Sequence, residues 1–247
     1  MSLAIRNVSF SYSALGHISK PVLRNIKLEL RTGEIVTVIG ESGSGKTTLL
    51  NIVAGLLIPS TGAIERAGSI SYLFQEDMLL PFRTVWQNSV LAAELRSESP
   101  NLAFDRAKHL LSITRLIEIQ DGLPATLSGG MRRRLALVRQ LTCTSDLLLL
   151  DEPFTAQDRG MREGLEGVIF DRSREEKVSI LLVTHDIDSA IAISNRIFLL
   201  TREGELSEAW QAPKSLSQVP PGRRRSDPMF VNHITVVTQR FWENSRA

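Results

Sequence analysis

Apolar residues occur along this chain in two patterns that alternate with one another. Short and nearly continuous apolar runs are typical of buried strands, whereas longer stretches with apolar residues at helical spacing predict amphipathic helices. The strand-like runs are 34–39, 147–150 and 178–183. The helical stretches are 47–54, 85–96, 102–120 and 131–141. This alternation predicts an α/β fold around one mostly parallel sheet.

The two patterns are distributed unevenly, which suggests an organisation for the whole chain. Residues 1–77 and 146–212 carry the strand-like runs, so we expect them to fold together as one core. Residues 78–145 carry mainly helical spacing, interrupted by Ser-Glu-Ser-Pro at 97–100, and predict a helical subdomain inserted into that core. We therefore interpret residues 1–247 as a single domain with an insertion and a tail, residues 213–247.

The tail begins with a Pro-Pro-Gly linker followed by three consecutive arginines, Arg223 to Arg225. We interpret this basic cluster as a solvated charge run, with contact to a membrane surface as the alternative. Apolar residues farther on recur at helical spacing, which predicts a short helix packed on the chain itself or on a neighbouring copy. They are Phe230, Ile234, Val237 and Phe241.

A glycine-rich loop joins the first strand-like run to the helical stretch at 47–54. Glycines let successive main-chain N–H groups turn toward a phosphate, and the N-terminus of the following helix adds partial positive charge. Lys46 suits the β- and γ-phosphates of a nucleoside triphosphate, and the hydroxyl of Thr47 suits Mg²⁺. A flexible Gly/Ser turn is the alternative, but the order of strand, loop and helix favours the phosphate site. The predicted nucleotide-binding residues are Gly40, Glu41, Ser42, Gly43, Ser44, Gly45, Lys46, Thr47 and Thr48.

The leucine run at 147–150 ends at two acidic residues, Asp151 and Glu152. A run that is apolar on both faces is typical of a central parallel strand, which delivers the following side chains to the C-terminal edge of its sheet. Asp151 is then placed to hold Mg²⁺ through water, and Glu152 to act as general base on the attacking water. An ordinary strand with an acidic turn would look the same, but together with the phosphate loop the pair predicts hydrolysis.

A third motif, Leu127-Ser128-Gly129-Gly130-Met131, stands between the other two. Ser128 suits a helix N-cap, and the glycines admit close approach of an anion to the main chain. With this motif, the chain from about Leu3 to about Ala212 resembles the ATP-binding subunits of ABC transporters. The resemblance implies a P-loop NTPase core with a mostly parallel sheet, an N-terminal antiparallel β part and an inserted helical subdomain.

The resemblance also implies how two copies assemble. In this family two subunits meet head to tail, and the signature motif of one caps the γ-phosphate of ATP held by the phosphate loop of the other. One chain cannot easily present both loops to the same phosphate, so we expect an isologous dimer. The signature residues here are Leu127, Ser128, Gly129, Gly130 and Met131.

Three further positions match the site of the family. Gln75 resembles the glutamine that coordinates Mg²⁺, and His185 resembles the switch histidine that binds the γ-phosphate and holds the water. Tyr12 resembles the aromatic residue that stacks on adenine, although Phe10 shares its strand face by alternation. The implied metal ligands are thus Thr47, Gln75 and Asp151.

Two residues depart from the common family pattern. Met131 stands where a glutamine is frequent, although methionine also resembles one branch of bacterial importers. Gln157 replaces a usual leucine in the loop after Glu152, which puts the packing of that loop in question rather than its chemistry. Asp158 can still serve at the dimer seam.

Composition excludes several other classes of protein. With 29 Lys and Arg against 27 Asp and Glu, the formal charge is +2, which supplies no broad basic surface for nucleic acid. The 1 cysteine, Cys143, rules out a disulfide framework and is interpreted as a small core residue. No apolar run approaches the ~20 residues of a transmembrane helix, and the first residues lack a signal-peptide core, so we expect a soluble cytoplasmic protein.

These features predict an ATPase subunit that powers an importer from the cytoplasmic face of the cell membrane. Its partners would be a second copy, permease subunits and, through them, a solute-binding protein. Several stretches resemble the branch that imports nitrate, sulfonate, taurine or a thiamine precursor.

Two questions about partners stay open at this level. Apolar residues 78–82 are either the docking site of a permease helix or core at a subdomain hinge. The alternative function is a soluble ABC-type ATPase acting on nucleic acid or ribosomes, although such proteins usually carry a second cassette, a long coiled coil or a zinc module. A phosphoryl-transferring kinase would leave the signature motif and His185 unexplained.

Overall fold

The computed structural model describes residues 1–14, 17–18, 21–155 and 157–244, which form two main sheets flanked by helices. The strands are β1 (Leu3–Phe10), β2 (Ser13–Ala14), β3 (His17–Ile18), β4 (Leu23–Leu30), β5 (Ile35–Ile39), β6 (Thr61–Arg66), β7 (Ile70–Leu73), β8 (Leu147–Asp151), β9 (Ser179–Thr184), β10 (Arg196–Leu200) and β11 (Leu206–Gln211). The helices are α1 (Lys46–Ala54), α2 (Val85–Leu95), α3 (Pro100–Ile113), α4 (Gly129–Thr142), α5 (Arg159–Glu175), α6 (Ile187–Ile193), α7 (Pro221–Arg225) and α8 (Phe230–Asn244).

The larger sheet has the strand order β11-β10-β5-β9-β8-β7, and all its neighbours are parallel except β10 and β11. The predicted burial of both faces is confirmed in β8, where Leu148 and Leu150 belong to one apolar core and Leu147 and Leu149 to the other. Full burial of one such leucine side chain contributes about 2 kcal/mol to folding. Continuous apolar runs therefore mark the strands that separate the two cores.

The smaller sheet is antiparallel, with the order β4-β1-β6. Its apolar face shares one core with α1 and with one face of the parallel sheet. This arrangement confirms the expected mixed fold, in which an antiparallel N-terminal part covers a parallel α/β core. A short ribbon pairs β2 with β3.

The helical stretch predicted at 102–120 is shorter in the structure. Helix α3 ends at Ile113, and the chain continues through two 3-10 turns, Ile117–Ile119 and Pro124–Thr126. Arg115 adopts a positive φ of 55°, which an α-helix does not tolerate, and the Thr114 hydroxyl donates a hydrogen bond back to the carbonyl of Leu110. The apolar spacing continues past this point because the 3-10 turns also face the core.

The basic cluster of the tail corrects our expectation of a solvated charge run. Arg224 in α7 is 1% exposed and donates hydrogen bonds to the carbonyls of Ser194 (2.7 Å) and Val219 (2.9 Å). Arg225 binds Glu166 on α5 at 2.5 and 2.9 Å and Asp188 on α6 at 2.7 Å. These two arginines are therefore engaged inside the fold and are not free for a membrane surface, because the short helix turns them toward α5 and α6.

The last helix follows the predicted pattern but is longer than the short helix expected. In α8, a helix of 15 residues, Phe230 and Val237 are buried, and Ile234 and Phe241 pack against the same core. Trp210 of β11 donates its ring N–H to Nδ1 of His233 at 3.3 Å. The tail thus packs on the chain itself, which was one of the two expectations.

Cys143 is fully buried, and its sulfur contacts the hydroxyl of Ser71 at 3.1 Å, as expected for a core cysteine. None of the helices in the described ranges is both long and apolar enough to cross a membrane.

Replacing Arg225 should destabilise the fold strongly. Glu166 is completely buried, so removing its cationic partner in Arg225→Met leaves an uncompensated carboxylate inside the protein. We expect the free energy of unfolding in urea to fall by about 3 kcal/mol at neutral pH. Arg159→Met is the matched control, because its ion pair with Glu163 lies on the surface, where water screens it, and its loss should leave the free energy of unfolding nearly unchanged.

The same variant should show a specific pH dependence. Burial raises the pKa of Glu166 above its ordinary value of 4.5, while hydrogen bonding and charge from Arg225 oppose the rise. Without Arg225 the folded state binds the proton more tightly than the unfolded state, so stability falls as pH rises above 4.5. The loss of stability in Arg225→Met, relative to wild type, should be smallest near pH 4.5. It should also be smaller in the double variant Arg225→Met/Glu166→Gln. A loss of stability that depends neither on pH nor on Glu166 would contradict a charge mechanism.

Candidate active site

The candidate site is an open cleft of about 1060 Å³ at the C-terminal edge of the parallel sheet. The parallel register aligns the ends of three strands there, since Ile39 pairs with Thr184 and Val183 pairs with Asp151. The loops that leave β5, β8 and β9 therefore meet at one place. The cleft is lined by Tyr12, Val22, Ser42, Gly43, Gly45, Lys46, Thr47, Thr48, Gln75, Asp77, Gly129, Gly130, Arg133, Asp151, Glu152, Thr155 and His185.

The phosphate loop runs from the end of β5 into the first turn of α1. Gly43 and Gly45 adopt positive φ values of 82° and 101°, so the loop needs residues without a side chain at these points. A Cβ on Gly45 would also lie 2.9 Å from Cγ1 of Val22. This conformation brings the main-chain N–H groups at the start of α1 to the wall of the cleft, where they form a potential anion site.

Lys46 is held against its own loop. Its Nζ donates hydrogen bonds to the carbonyls of Gly40 and Glu41, both at 2.8 Å. Burial lowers the pKa of Lys46, while the charges of Glu152, Asp151 and Glu41 act in the opposite direction. The lysine is thus a partly desolvated cation on the cleft wall.

Thr47 and Asp151 contact each other directly, as metal ligands from neighbouring elements would. The Thr47 hydroxyl donates to Oδ2 of Asp151 at 2.7 Å, and Asp151 is 2% exposed. Burial raises the pKa of Asp151, and the hydrogen bond from Thr47 opposes the rise. A hydroxyl, a carboxylate and the nearby amide of Gln75 are hard oxygen donors and fit Mg²⁺.

The donor set also fits the way Mg²⁺ is usually held. Across the described ranges, no three His, Cys, Asp or Glu side chains gather into a possible metal cage. Mg²⁺ commonly keeps water and substrate phosphate among its ligands and takes only one or two carboxylates from the protein. The single buried carboxylate of Asp151 beside the phosphate loop agrees with that mode.

Glu152 and His185 also lie together, which the sequence alone did not establish. One carboxylate oxygen of Glu152 lies 2.9 Å from Nδ1 of His185, and the other accepts a hydrogen bond from Thr184 at 3.0 Å. Glu152 adopts a positive φ of 48°, a conformation that costs a non-glycine residue about 1 kcal/mol. Its N–H donates to the carbonyl of Val183 at 3.0 Å, so the strained residue is fixed by β9 at both its main chain and its side chain.

The structure separates the two candidate aromatic residues. Phe10 is 7% exposed in the core beneath the antiparallel sheet, whereas Tyr12 lies just after the end of β1 and lines the cleft. The Tyr12 ring packs edge-on against Phe10, with centroids 4.9 Å apart, and its hydroxyl lies 3.1 Å from that of Thr48. Of the two aromatic residues, Tyr12 is therefore the one that lines the cleft.

The signature motif has the predicted local structure. Ser128 caps α4, since its side chain accepts a hydrogen bond from the N–H of Met131 at 3.3 Å. Gly129 and Gly130 line the cleft, while Leu127 is buried in the core and Met131 packs against that core. Main-chain atoms of the glycines are thus the part of the motif that faces the cleft.

The cleft of one chain extends from the phosphate loop as far as Gly129 and Gly130. Our expectation that the two loops need separate chains therefore does not follow from the lining of the cleft.

Some residues that line the cleft were not predicted from the sequence. Arg133 is 9% exposed and reaches the cleft from α4, yet it is one of three consecutive arginines with no sequence signal for which of them points inward. Val22, Asp77 and Thr155 also line the cleft. At the atypical position Gln157, the side chain is buried and donates to the carbonyl of Pro153 at 2.9 Å, while its Oε1 finds no hydrogen-bond partner in the described structure.

Comparison with known proteins agrees with this geometry. Residues 23–155 match the family model described as ABC transporter. The chain is 37% identical to the aliphatic sulfonates import ATP-binding protein SsuB of Corynebacterium glutamicum, over 87% of this chain and 86% of that protein. It is 37% identical to the nitrate import ATP-binding protein NrtD of Synechocystis sp., over 72% of this chain and 70% of that protein.

A solved structure supports the same relationship. The dimeric bacterial ABC transporter cassette MJ0796 is 26% identical to this chain, with a TM-score of 0.75, and the match covers 85% of this chain and 100% of that one. The same cassette has been solved as a dimer in a post-hydrolysis state bound to ADP and phosphate, again with a TM-score of 0.75.

Proposed function

The chain belongs to the ABC transporter family and is an ATP-binding ATPase of that family, and from this premise we propose that it powers an importer. In this proposal, two copies bind ATP with Mg²⁺, close on one another, pull on membrane subunits and reopen after hydrolysis. The single observation that carries the hydrolytic part is the convergence of Lys46, the Thr47–Asp151 pair and the Glu152–His185 pair on one cleft.

The ATP-binding roles follow from the chemistry of the cleft wall. Lys46 moves from the loop carbonyls to the β- and γ-phosphates, which offer a stronger negative partner. The N–H groups from Gly43 to Thr48 surround the phosphates, and Tyr12 stacks on adenine. Thr47, Gln75 and Asp151 would hold Mg²⁺, which would supply positive charge against the charge that develops on the phosphates.

The roles in hydrolysis divide between two neighbouring side chains. Glu152 accepts a proton from the attacking water as general base. His185 is held by its contact with Glu152 and is well exposed, so its other ring nitrogen is free to bond the γ-phosphate. Asp151, the residue preceding Glu152, serves as a metal ligand instead.

We propose a head-to-tail homodimer as the working form. The signature glycines, Gly129 and Gly130, would contact the γ-phosphate in the partner, where the N-terminus of α4 adds partial positive charge. The likeness to a dimeric cassette supports this arrangement. Asp158, which caps α5, would lie near the seam.

The proposed membrane partner docks on the loop that follows Gln75. Phe82 is 75% exposed and Met78 is 58% exposed, so this apolar segment is open at the surface, which favours docking over hinge core. Docking there would hold the chain as a peripheral protein on the cytoplasmic face of the membrane. The relatives named for import of sulfonates and nitrate make a small oxyanion or sulfonate the proposed cargo, with taurine and a thiamine precursor as alternatives.

Phe82→Asp should separate coupling from hydrolysis. When the tagged chain is purified from membranes of its own organism in mild detergent, we expect the wild type to bring down a polytopic membrane protein and Phe82→Asp to lose at least about 90% of it. Hydrolysis by the isolated subunit should change by no more than about twofold, because Phe82 lies outside the cleft. Leu95→Asp is the matched control, since Leu95 is 78% exposed at the far end of α2.

The outcomes distinguish the proposal from its alternative. Equal loss with both variants would mean that the segment is not a specific docking site. Recovery of nucleic acid or ribosomes with the wild type, and salt-sensitive binding to DNA or RNA, would replace the importer with a nucleic-acid ATPase.

A further inference from the structure

The guanidinium of Arg133 connects four main-chain carbonyls that belong to two different parts of the site. Nη1 donates to the carbonyls of Phe74 and Gln75, the latter at 3.0 Å. Nη2 donates to the carbonyls of Asp151 and Glu152, the latter at a longer 3.4 Å. One side chain of α4 therefore contacts the backbone on both the metal side and the base side of the cleft.

These carbonyls lie where two neighbouring strands end, and the carbonyl of Glu152 also accepts from the N–H and the hydroxyl of Thr155. Strands β7 and β8 pair in parallel up to Leu73 and Leu150, and beyond this point the chains diverge, so the ladder no longer supplies N–H partners for all carbonyls. A planar guanidinium carries donors on separate nitrogen atoms in a fixed fork, whereas a lysine has a single nitrogen. Arg133 thus links the two strands by hydrogen bonds beyond their last paired residues.

The contacts of Arg133 are to backbone rather than to carboxylates. Every hydrogen bond of this side chain in the described ranges has a main-chain carbonyl as acceptor. Its bonds therefore set where the backbone of Gln75, Asp151 and Glu152 lies, and the side chains of these residues follow.

A second arginine of the same helix makes a useful comparison. Arg139 is 7% exposed, against 9% for Arg133, and donates to the carbonyls of Asp77 (3.1 Å) and Met78 (2.7 Å). It is equally buried and also binds backbone only, but its acceptors lie farther along the loop and include none of the three proposed site residues. Substitution of Arg139 therefore measures how much stability is lost when a buried guanidinium of α4 is removed outside the proposed site residues.

We propose that Arg133 is a positioning residue for ATP hydrolysis, holding the backbones of Gln75, Asp151 and Glu152 in register from the helix that the signature motif begins. This inference rests on the proposed function, because it assumes the roles assigned there to these three residues. It adds a side chain of the cleft wall that acts through the backbone and determines how the metal ligands and the base face one another.

The test compares Arg133→Met with Arg139→Met in the full chain. Methionine keeps much of the apolar volume and removes all donors. For Arg133→Met we expect kcat to fall by about 10- to 100-fold, and the Mg²⁺ concentration for half-maximal turnover to rise by about tenfold, as for other residues that orient metal ligands. The Kd for ATP, measured without Mg²⁺, should change by no more than about threefold, because Lys46 and the phosphate loop are untouched.

Arg139→Met should lose a similar amount of thermal stability while kcat and the Mg²⁺ dependence stay within about threefold of wild type. Arg133→Lys keeps one cationic donor and should recover part of the lost kcat. If Arg133→Met and Arg139→Met lower Tm alike and both retain kcat, Arg133 is only structural and the proposal is overturned. If Arg133→Met does not fold, the same comparison is made with Arg133→Lys, which must then show the selective loss of kcat.

Failure of this inference and failure of the proposed function give different results. A wild-type chain that hydrolyses ATP, together with an Arg133→Met chain that does so equally fast, overturns only the positioning role. A wild-type chain whose hydrolysis is unaffected by changes at Glu152 would remove the assigned roles themselves.

Discussion

Glu152→Gln should reduce the kcat for ATP hydrolysis by about 10³-fold, the size expected when a general base is removed. The affinity for ATP should remain within about threefold of wild type, because the amide of glutamine differs from the carboxylate mainly in charge and basicity. With binding intact and hydrolysis blocked, ATP should accumulate on the protein. Size-exclusion chromatography with ATP and Mg²⁺ should then show a dimer that the wild type forms only transiently.

The structure explains why Glu152→Gln should leave the stability of the fold nearly unchanged. The two carboxylate oxygens of Glu152 accept from Thr184 and lie against Nδ1 of His185, and a glutamine can still accept from the threonine with its amide oxygen. The main-chain strain at φ 48° is unchanged, since it is fixed by the hydrogen bond to Val183. We therefore expect thermal unfolding within a few degrees of wild type.

Glu152→Asp provides the graded control. It keeps the charge but withdraws the carboxylate from His185 by about one bond, so it should retain more activity than glutamine and less than wild type. Turnover by Glu152→Gln equal to wild type would contradict the assignment of the base.

Lys46→Ala should weaken ATP binding by at least about 100-fold, since a charge-assisted contact to two phosphates is lost in a partly desolvated cleft. The effect should appear in direct titration with a fluorescent ATP analogue, and also as loss of turnover at physiological ATP. Its origin differs from that of Glu152→Gln, because here the ground state is affected and no ATP accumulates on the protein.

Lys46→Arg tests whether charge alone is sufficient. The guanidinium is planar and larger than an ammonium, and the space between the carbonyls of Gly40 and Glu41 holds a compact Nζ at 2.8 Å from each. We expect Lys46→Arg to bind ATP more weakly than wild type by about tenfold, well short of the alanine variant. An alanine variant with unchanged affinity would exclude the phosphate role of Lys46.

Local patterns determined much of the fold. The strand-like runs correspond to β5, β8 and β9, because a strand buried on both faces is apolar at nearly every position, and no tertiary information is needed to see that. The glycine loop was likewise visible, since Gly43 and Gly45 adopt backbone angles that other residues avoid. The helix at 102–120 was predicted too long because apolar spacing does not report the backbone turn at Arg115.

The sequence alone therefore specifies the chemical groups and the strands next to them: Lys46 and Thr47 follow β5, Asp151 ends β8 with Glu152 directly after it, and His185 follows β9. Which of these groups contact one another is set by the fold. The contact of Glu152 with His185 depends on the register of β8 beside β9, and the choice of Tyr12 over Phe10 depends on where β1 ends.

Buried arginines show most clearly which contacts the sequence pattern does not predict. Arg133, Arg224 and Arg225 stand in runs of basic residues, and the cluster at 223–225 predicts solvated surface. Yet Arg224 is 1% exposed and Arg225 pairs with a completely buried Glu166. The physical reason is that a long, charged side chain is buried wherever remote carbonyls or carboxylates satisfy its donors, and those partners lie up to 59 positions away in the chain. Backbone conformation is encoded locally, whereas the partners of a buried charge are encoded by the fold.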